Sequence, residues 1–346
     1  ELHDPADRRF RYPFINCTQC GPRYTLIEAL PYDRPNTSMA RFELCEDCGR
    51  EYTDPANRRF HAEPVACPSC GPKVSRPIDD VVAELRDGKV VAVKGIGGYH
   101  LVCDARNENA VAALRSRKHR PDKPLAVMFP SLESVCDHVS PTSSEAELIA
   151  SPGRPIVLAT AREDCNLAAN VAPGLAEIGV FLPYSPLHEL LLQDFGGPLV
   201  ATSGNISGEP VLTSNDDADT RLARVADTFL HHDRPIVRPA DDPVYRRIGG
   251  ELTSYYSDDG RNWMRSCQTS DIRFKDGTGP TFKAPMQVML LVHNRARTAL
   301  DVHFEHFRFR QGESIEPVTV VEDAEEVKNR QRTMEAMAAY QKIFPD

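Results

Sequence analysis

Two stretches of the chain repeat one another at a shift of fifty residues: "LHDPADRRFRYPFINCTQCGP" at 2–22 and "YTDPANRRFHAEPVACPSCGP" at 52–72. Asp4 aligns with Asp54, Arg8 with Arg58, Cys17 with Cys67 and Cys20 with Cys70. The second copy is preceded by Cys45-x-x-Cys48, and eighteen residues separate Cys48 from Cys67. Two such knuckles supply four thiolates at tetrahedral geometry, the closed arrangement of a structural zinc site. Thioredoxin-like redox motifs are the alternative for a Cys-x-x-Cys, but they occur singly at a helix start and not in tandem. Cys45, Cys48, Cys67 and Cys70 therefore read as one whole zinc module. Cys17 and Cys20 read as half of another. Carried back from Cys45 and Cys48, the shift lands a few residues before Glu1, so the parent sequence is expected to hold a further pair there, the first finger being truncated in this fragment.

Composition narrows the class. At 346 residues, with 41% apolar and 26% charged, the chain has the balance of two or three globular domains. Six of its ten cysteines sit in Cys-x-x-Cys pairs near one end of a large chain, a pattern of metal ligands in a reducing cytoplasm and not of a secreted disulfide scaffold. No apolar run approaches the roughly 18 residues of a membrane span, and no leader follows Glu1. A membrane is not an expected partner. The net charge of -9 argues against a broad nucleic-acid surface, and residues 1–73 hold ten Lys or Arg against eleven Asp or Glu. Those residues are expected to form a spacer or docking module, with double-stranded RNA an unexpected partner.

From residue 77 to about 250 strand and helix patterns alternate, which argues an α/β sheet domain. Strands are expected at 89–94, 124–129, 155–160, 179–183 and 198–202, and helices at 82–86, 107–117, 144–150, 186–192 and 215–228. Three stretches stand out. "KGIGGYHL" carries Lys94, Gly97 and Gly98; it is no P-loop, and a plain glycine turn explains it equally well. "RKHRPDKPLAV" bunches Lys118, Arg120 and Lys123 past a helix end, where cations also serve as simple caps, yet prolines fix the loop in a form suited to a polyphosphate. "VATSGNISGEP" ends a strand in Thr202, Ser203, Gly204 and Asn205, which let backbone N–H groups approach an anion, with Ser207 able to add a hydroxyl; an ordinary Asx turn is the bland alternative.

Taken in order behind paired knuckles, "KGIGGYHL", "KHRPDKPLAV" and "TSGNISGEP" resemble the HypF carbamoyltransferase family of nickel–iron hydrogenase maturation, with its YrdC-like domain in the middle; the antibiotic O-carbamoyltransferases are similar. The resemblance runs from residue 1 to about 250 and includes "GVFLPYSPLHELLL" and "HHDRPIVRPADDPV". It implies a YrdC-like open twisted mixed sheet with helices, preceded by small four-cysteine zinc modules, in a cytoplasmic protein. It also implies a reaction: carbamate, released from carbamoyl phosphate by a domain absent here, attacks ATP to give carbamoyl-adenylate and pyrophosphate. A third domain then passes the carbamoyl group to a HypE-type acceptor on the way to cyanide ligands. On that reading Lys118, Arg120 and Lys123 hold the triphosphate with magnesium, Ser203 and Asn205 grip phosphate or adenylate, and Lys94 lies near the carbamoyl end. Arg238, Asp241 and Asp242 close the nucleotide side. His100, His188 and His232 are structural. The chain departs from the family pattern at Pro243, where a hydroxyl is usual, and at Asp233, where Asn is usual. An RNA-binding or partner-docking module without catalysis is the alternative reading.

The expected division is 1–73 for the fingers, 77–250 for the YrdC-like domain and 253–346 for a β-rich tail with a terminal helix. The tail loosely resembles closing strands of a concanavalin-like sandwich, with Asp258-Asp259-Gly260 as a hairpin turn beside Trp263. Val327, Met334, Met337 and Ile343 would line the packing face of the terminal helix.

Overall fold

The computed structural model describes residues 1–18, 21–206 and 209–248, and beyond them four strands. It divides into two compact units, Glu1–Ser270 and Asp271–Asp346. In the second unit β11 (Met289–Ala296) and β12 (Ala299–Glu305) form an antiparallel hairpin with a register shift between His293 and Ala296. The expected terminal helix and Asp258–Gly260 turn lie outside the described residues.

Most α-helices of the first unit, though not α2 (Ile78–Arg86), begin where a side chain satisfies a free N–H group. In α2 Asp79 and Asp80 occupy the first turn, where the helix dipole favours negative charge, and Ile78, Val81, Val82 and Leu85 form one buried stripe. The Asn107 side chain caps α3 (Glu108–Arg117), and Thr142 and Glu145 form a capping box on α5 (Ser143–Ala150). Ser185 caps α6 (Pro186–Phe195), which ends at Gly196 in the left-handed conformation. The short α4 (Leu132–Cys136) lies between α3 and α5 in sequence.

Ten strands form one mixed sheet in the order β10-β9-β8-β4-β5-β3-β6-β2-β1-β7. Inward from the β7 edge, β1 (Val91–Lys94) pairs antiparallel with β2 (Tyr99–Asp104), β2 with β6 (Leu199–Ser203), and β6 with β3 (Ala126–Met128). β4 (Ile156–Thr160), β5 (Glu177–Phe181) and β8 (Val244–Ile248) extend one side, and the sheet continues past residue 250 through β9 (Glu251–Tyr256) and β10 (Met264–Arg265). Side chains alternate between two cores. Ala92, Leu101, Val127, Val157 and Val200 face α3, α4 and α5, whereas Val93, Val102, Met128, Phe181 and Ala201 face α2 and α6. Covered on both faces, central strands show continuous burial and not alternation.

Two elements differ from expectation. The helix expected over 215–228 stops early: α7 spans Asn215–Arg221, and Thr228–Leu230 becomes β7, an edge strand parallel to β1. Val225 and Ala226 pack into the core between them, so burial overrides helical propensity there. β2 is not among the expected strands, because both of its faces are buried and it carries no period-2 pattern.

The cysteine-bearing segment docks on this sheet. Lys73 N–H donates to Asp233 Oδ1 at 2.7 Å, and Ser75 N–H donates to His231 O at 2.9 Å. Phe14 lies edge-on to His232 and under the Arg234 guanidinium. Arg11 holds the Asp194 carboxylate with both nitrogens. Among the described residues no helix is long and apolar enough to cross a membrane.

Leu114, fully buried beneath the sheet on α3, offers a direct test of this core. Leu114→Ala is expected to cost about 2–5 kcal/mol in urea unfolding; a loss under about 1 kcal/mol would contradict the packing described.

Candidate functional site

The complete cysteine set closes around a point. Cys45 stands at the N-cap of α1 (Glu46–Thr53), Cys48 lies in its first turn, and Cys67 and Cys70 approach from the following loop. The four Sγ atoms lie within 4.8 Å of one another, with Cys45–Cys67 and Cys67–Cys70 each at 3.7 Å. Zinc–sulfur bonds of about 2.3 Å in a tetrahedron require sulfurs about 3.8 Å apart, so the spacing and the all-thiol donor set fit zinc. Burial raises the Cys67 thiol, but the Ser69 and Cys70 N–H groups and neighbouring thiols outweigh it and bring Cys67 to about 6. Gly71 is required here, since a Cβ would meet Tyr12 Oη at 2.1 Å and Ala66 Cβ at 2.4 Å. Cys17 is exposed; Cys20 lies outside the described residues.

A second cluster forms where α3 ends and β6 ends. Lys118 Nζ donates to the carbonyl of Ser203, to Asn205 Oδ1 at 2.8 Å and to Asn205 O at 3.3 Å. Arg120 donates to Thr202 Oγ1 at 3.1 Å, Pro124 O at 2.7 Å and Lys123 O at 3.3 Å. Ser203 Oγ donates to Asn205 Oδ1 at 2.9 Å. These acceptors are all neutral oxygens. Burial, then Arg120 and Lys123, push Lys118 down to about 7, and burial, then Arg115, pushes Arg120 down to about 10. The Asp241 carboxylate acts on Lys118 in the opposite sense but is outweighed, so the corner remains short of negative charge.

The loop's shape comes from a residue that the sequence reading missed. Arg115, buried on α3, donates to the carbonyls of Arg120, Pro121, Lys123, Asn170 and Val171. Its one signal was its place on the apolar stripe of Val111 and Leu114.

The other expected residues separate. Lys94 follows Ala92 in the β1 alternation and faces the α3 side, but its Nζ donates to Asn215 Oδ1 at 2.7 Å and His232 O at 3.2 Å. Tyr99 Oη reaches the same Asn215 oxygen at 2.9 Å. Burial, then Arg234, lowers Lys94 to about 8. It lines a cavity of about 300 Å³ with Arg41, Ser214, Asn215, His232 and Asp233. Gly97 and Gly98 are crowded: a Cβ would lie 2.4 Å from Ala240 O at Gly97 and 2.4 Å from Val211 Cγ2 at Gly98. Their turn between β1 and β2 is tightly packed on the side that a side chain would occupy. Gly204 likewise abuts Tyr99, at 2.6 Å from its Cβ.

Arg238 is held by backbone oxygens of the cysteine-bearing segment. It donates to Ile27 O at 2.5 Å and Tyr24 O at 3.4 Å, with Tyr24's ring beneath it, and so ties the first repeat to the sheet. Asp242 pairs with His100 Nε2 at 3.0 Å, beside Tyr184 and His188. Burial raises its carboxyl, but the bond to His100 outweighs this and holds it below the usual range. His188, fully enclosed, is driven to about 3 by burial and then by His100, and so is neutral. Ser207 lies outside the described residues.

A tetrathiolate finger docked on a mixed sheet with a cationic corner at its strand ends defines a finger-plus-α/β class of protein. Comparison with known proteins narrows it. A family model described as "HypF finger" matches residues 1–27 and 44–76, and one described as "Telomere recombination" (Sua5, YciO and YrdC) matches 83–254. Carbamoyltransferase HypF of Synechocystis sp. is 52% identical over 264 residues, covering 72% of this chain and 34% of that protein. Threonylcarbamoyl-AMP synthase of Stenotrophomonas maltophilia is 31% identical over 159 residues, 44% of this chain and 84% of that one. A crystal structure of full-length HypF in the phosphate- and nucleotide-bound form aligns with a TM-score of 0.71 at 47% identity, over 73% of this chain and 34% of that one. The chain belongs to the HypF carbamoyltransferase family, over that family's finger and Sua5/YrdC-like portion. It spans about a third of the length of the HypF relatives it matches.

Elemental analysis tests the metal site. Zinc is expected at one or more per chain, with one lost in Cys48→Ser together with a lower Tm; unchanged zinc content in that variant would contradict the assignment.

Proposed function

We propose that residues 77–250 join carbamate to ATP, releasing pyrophosphate and leaving carbamoyl-adenylate, and that residues 1–73 dock and support this unit. The observation that carries the reading is the pair of cations, buried Lys118 and half-buried Arg120, whose hydrogen bonds all go to neutral oxygens of the β6 end and of the loop after α3. A buried cation satisfied only by carbonyls and hydroxyls gains most from an arriving anion, and two side by side suit a polyphosphate. The nucleotide in the related HypF structure supports the same ligand class.

In the proposed step a carbamate oxygen attacks the α-phosphorus of ATP. The bond from that phosphorus to the bridging oxygen breaks, and pyrophosphate leaves with the electron pair. Lys118, Arg120 and Lys123 hold the triphosphate and the charge on the pentavalent transition state, while Ser203, Thr202 and Asn205 orient the phosphate through hydroxyl, amide and the backbone at Gly204. Lys94, in its own cavity on the same sheet face, takes the carbamoyl end. Magnesium, when bound with ATP, would supply further charge neutralisation. The product is consumed by transfer to a HypE-type acceptor on parts of the family protein beyond this portion, with carbamoyl phosphate the source of carbamate.

Exchange of labelled pyrophosphate into ATP, run with a carbamate supply, tests the reaction. Wild type is expected to exchange, and Lys118→Ala and Ser203→Ala to lose about 10²–10³-fold; exchange retained in both variants would remove the assignment.

A pH profile tests Lys118 separately. Its pKa in the free protein is lowered to about 7, so it loses its charge as pH rises through that value, and phosphate binding must restore the proton. Calorimetry in two buffers is expected to show proton uptake on ATP binding near pH 7.5, with affinity falling toward pH 8.5. Lys118→Met should abolish the uptake; equal uptake in that variant would contradict the role.

A further inference from the structure

The two cysteine-bearing copies fold alike down to single hydrogen bonds. Ala6 N–H donates to Asp4 Oδ1 as Ala56 N–H does to Asp54 Oδ1. Arg9 N–H donates to Asp7 Oδ1 as Arg59 N–H does to Asn57 Oδ1. Arg11 N–H reaches Leu2 O at 2.9 Å, and His61 N–H reaches Tyr52 O at 3.1 Å. Arg11 and His61 both adopt positive φ, 55° and 50°, a conformation that costs a non-glycine residue free energy. Each of these pairs is separated by the fifty-residue shift.

At that same shift the ion pairs cross over. Arg8 and Arg9 of the first copy bind Glu51 of the second, and Arg58 and Arg59 of the second copy bind Glu1 of the first. Glu1 and Glu51 are themselves fifty residues apart, so each copy gives an arginine pair to the other's carboxylate. This is the self-complementary exchange of a two-fold dimer interface, here within one chain.

In one direction the reach extends further. Arg8 Nη2 lies 3.3 Å and Arg9 Nη2 3.5 Å from Sγ of Cys48, which is fully buried among the four thiols. Four thiolates around a divalent ion leave a net charge of two minus, and a buried anion needs nearby donors. We propose that Arg8 and Arg9 are positioning residues of the metal site in the opposite copy, so that the two repeats hold one zinc jointly. Their N–H groups offset the negative charge on Cys48 and fix its sulfur, and hydrogen-bonding partners of this kind commonly change metal affinity 10–100-fold. The converse also holds: loss of metal frees Cys48 and weakens the grip of the second copy on the first. Arg58, at the matching place in the second copy, contacts Glu1 and serves as the internal control.

The test uses the full chain, with zinc release to a chromogenic chelator as the rate readout. The absorption spectrum of the cobalt-substituted protein reports the sulfur–metal bonds directly. Arg8 is partly exposed and Arg9 is not, so Arg8→Gln is the variant that keeps the fold. It is expected to release zinc 10–100-fold faster and to shift the sulfur-to-cobalt charge-transfer band. Arg8→Lys should recover part of both effects, and Arg58→Gln should stay within about twofold of wild type. Release from Arg8→Gln at the wild-type rate would overturn the proposal. So would an unshifted cobalt band combined with equally fast release from Glu51→Gln, which would mean that Arg8 acts only through its ion pair.

Discussion

Buried Lys118 and half-buried Arg120, held by carbonyl, amide and hydroxyl oxygens of the β6 end and of the loop after α3, set the terms for the rest of the molecule. Pairing of β2 with β6 places Ser203 opposite His100 and draws Gly204 against Tyr99, where no side chain fits. The Asn107 cap and apolar stripe of α3 deliver its last turn to the same corner, and Arg115 holds the outgoing loop by five carbonyls. Helix, loop and strand end are each tied down by separate bonds, so the positive charge is presented on a rigid frame, as preorganised electrostatics requires.

The second organising contact joins the finger segment to the sheet. The stretch from His231 to Arg238 meets residues 14, 24, 25, 27, 73 and 75 through hydrogen bonds and ring contacts. The same stretch supplies His232 and Asp233 to the Lys94 cavity, which Arg41 also lines from the finger side. The cysteine-bearing segment thereby forms part of the wall around Lys94 through Arg41. The finger segment and the α/β domain are joined by these contacts and are not independent modules on a string.

The sequence carried much of this openly. Paired thiols at a fixed shift mark the finger, because four ligands at tetrahedral spacing leave few alternatives, and short β-branched runs mark most central strands. Lys118, Arg120, Thr202, Ser203 and Asn205 announced themselves by residue type in loops, and they meet in space. Buried arginines did not. Arg115, Arg34 and Arg9 gather carbonyls or carboxylates inside the protein, yet in a linear reading an arginine defaults to the surface. Arg238 hides its packing role for a related reason: its partners are backbone oxygens of a segment more than two hundred residues away. Gly97 and Gly98 suggested a cradle, but glycine also marks close approach of two backbones, and only coordinates separate the two cases.

The corner between α3 and β6 is proposed to receive a triphosphate. A crystal structure of the chain with a non-hydrolysable ATP analogue tests it most directly. Phosphate oxygens are expected within hydrogen-bond distance of Lys118 Nζ, the Arg120 guanidinium and Ser203 Oγ, with the bond from Lys118 to Asn205 Oδ1 given up. Phosphates bound elsewhere, with Lys118 still on Asn205, would contradict it.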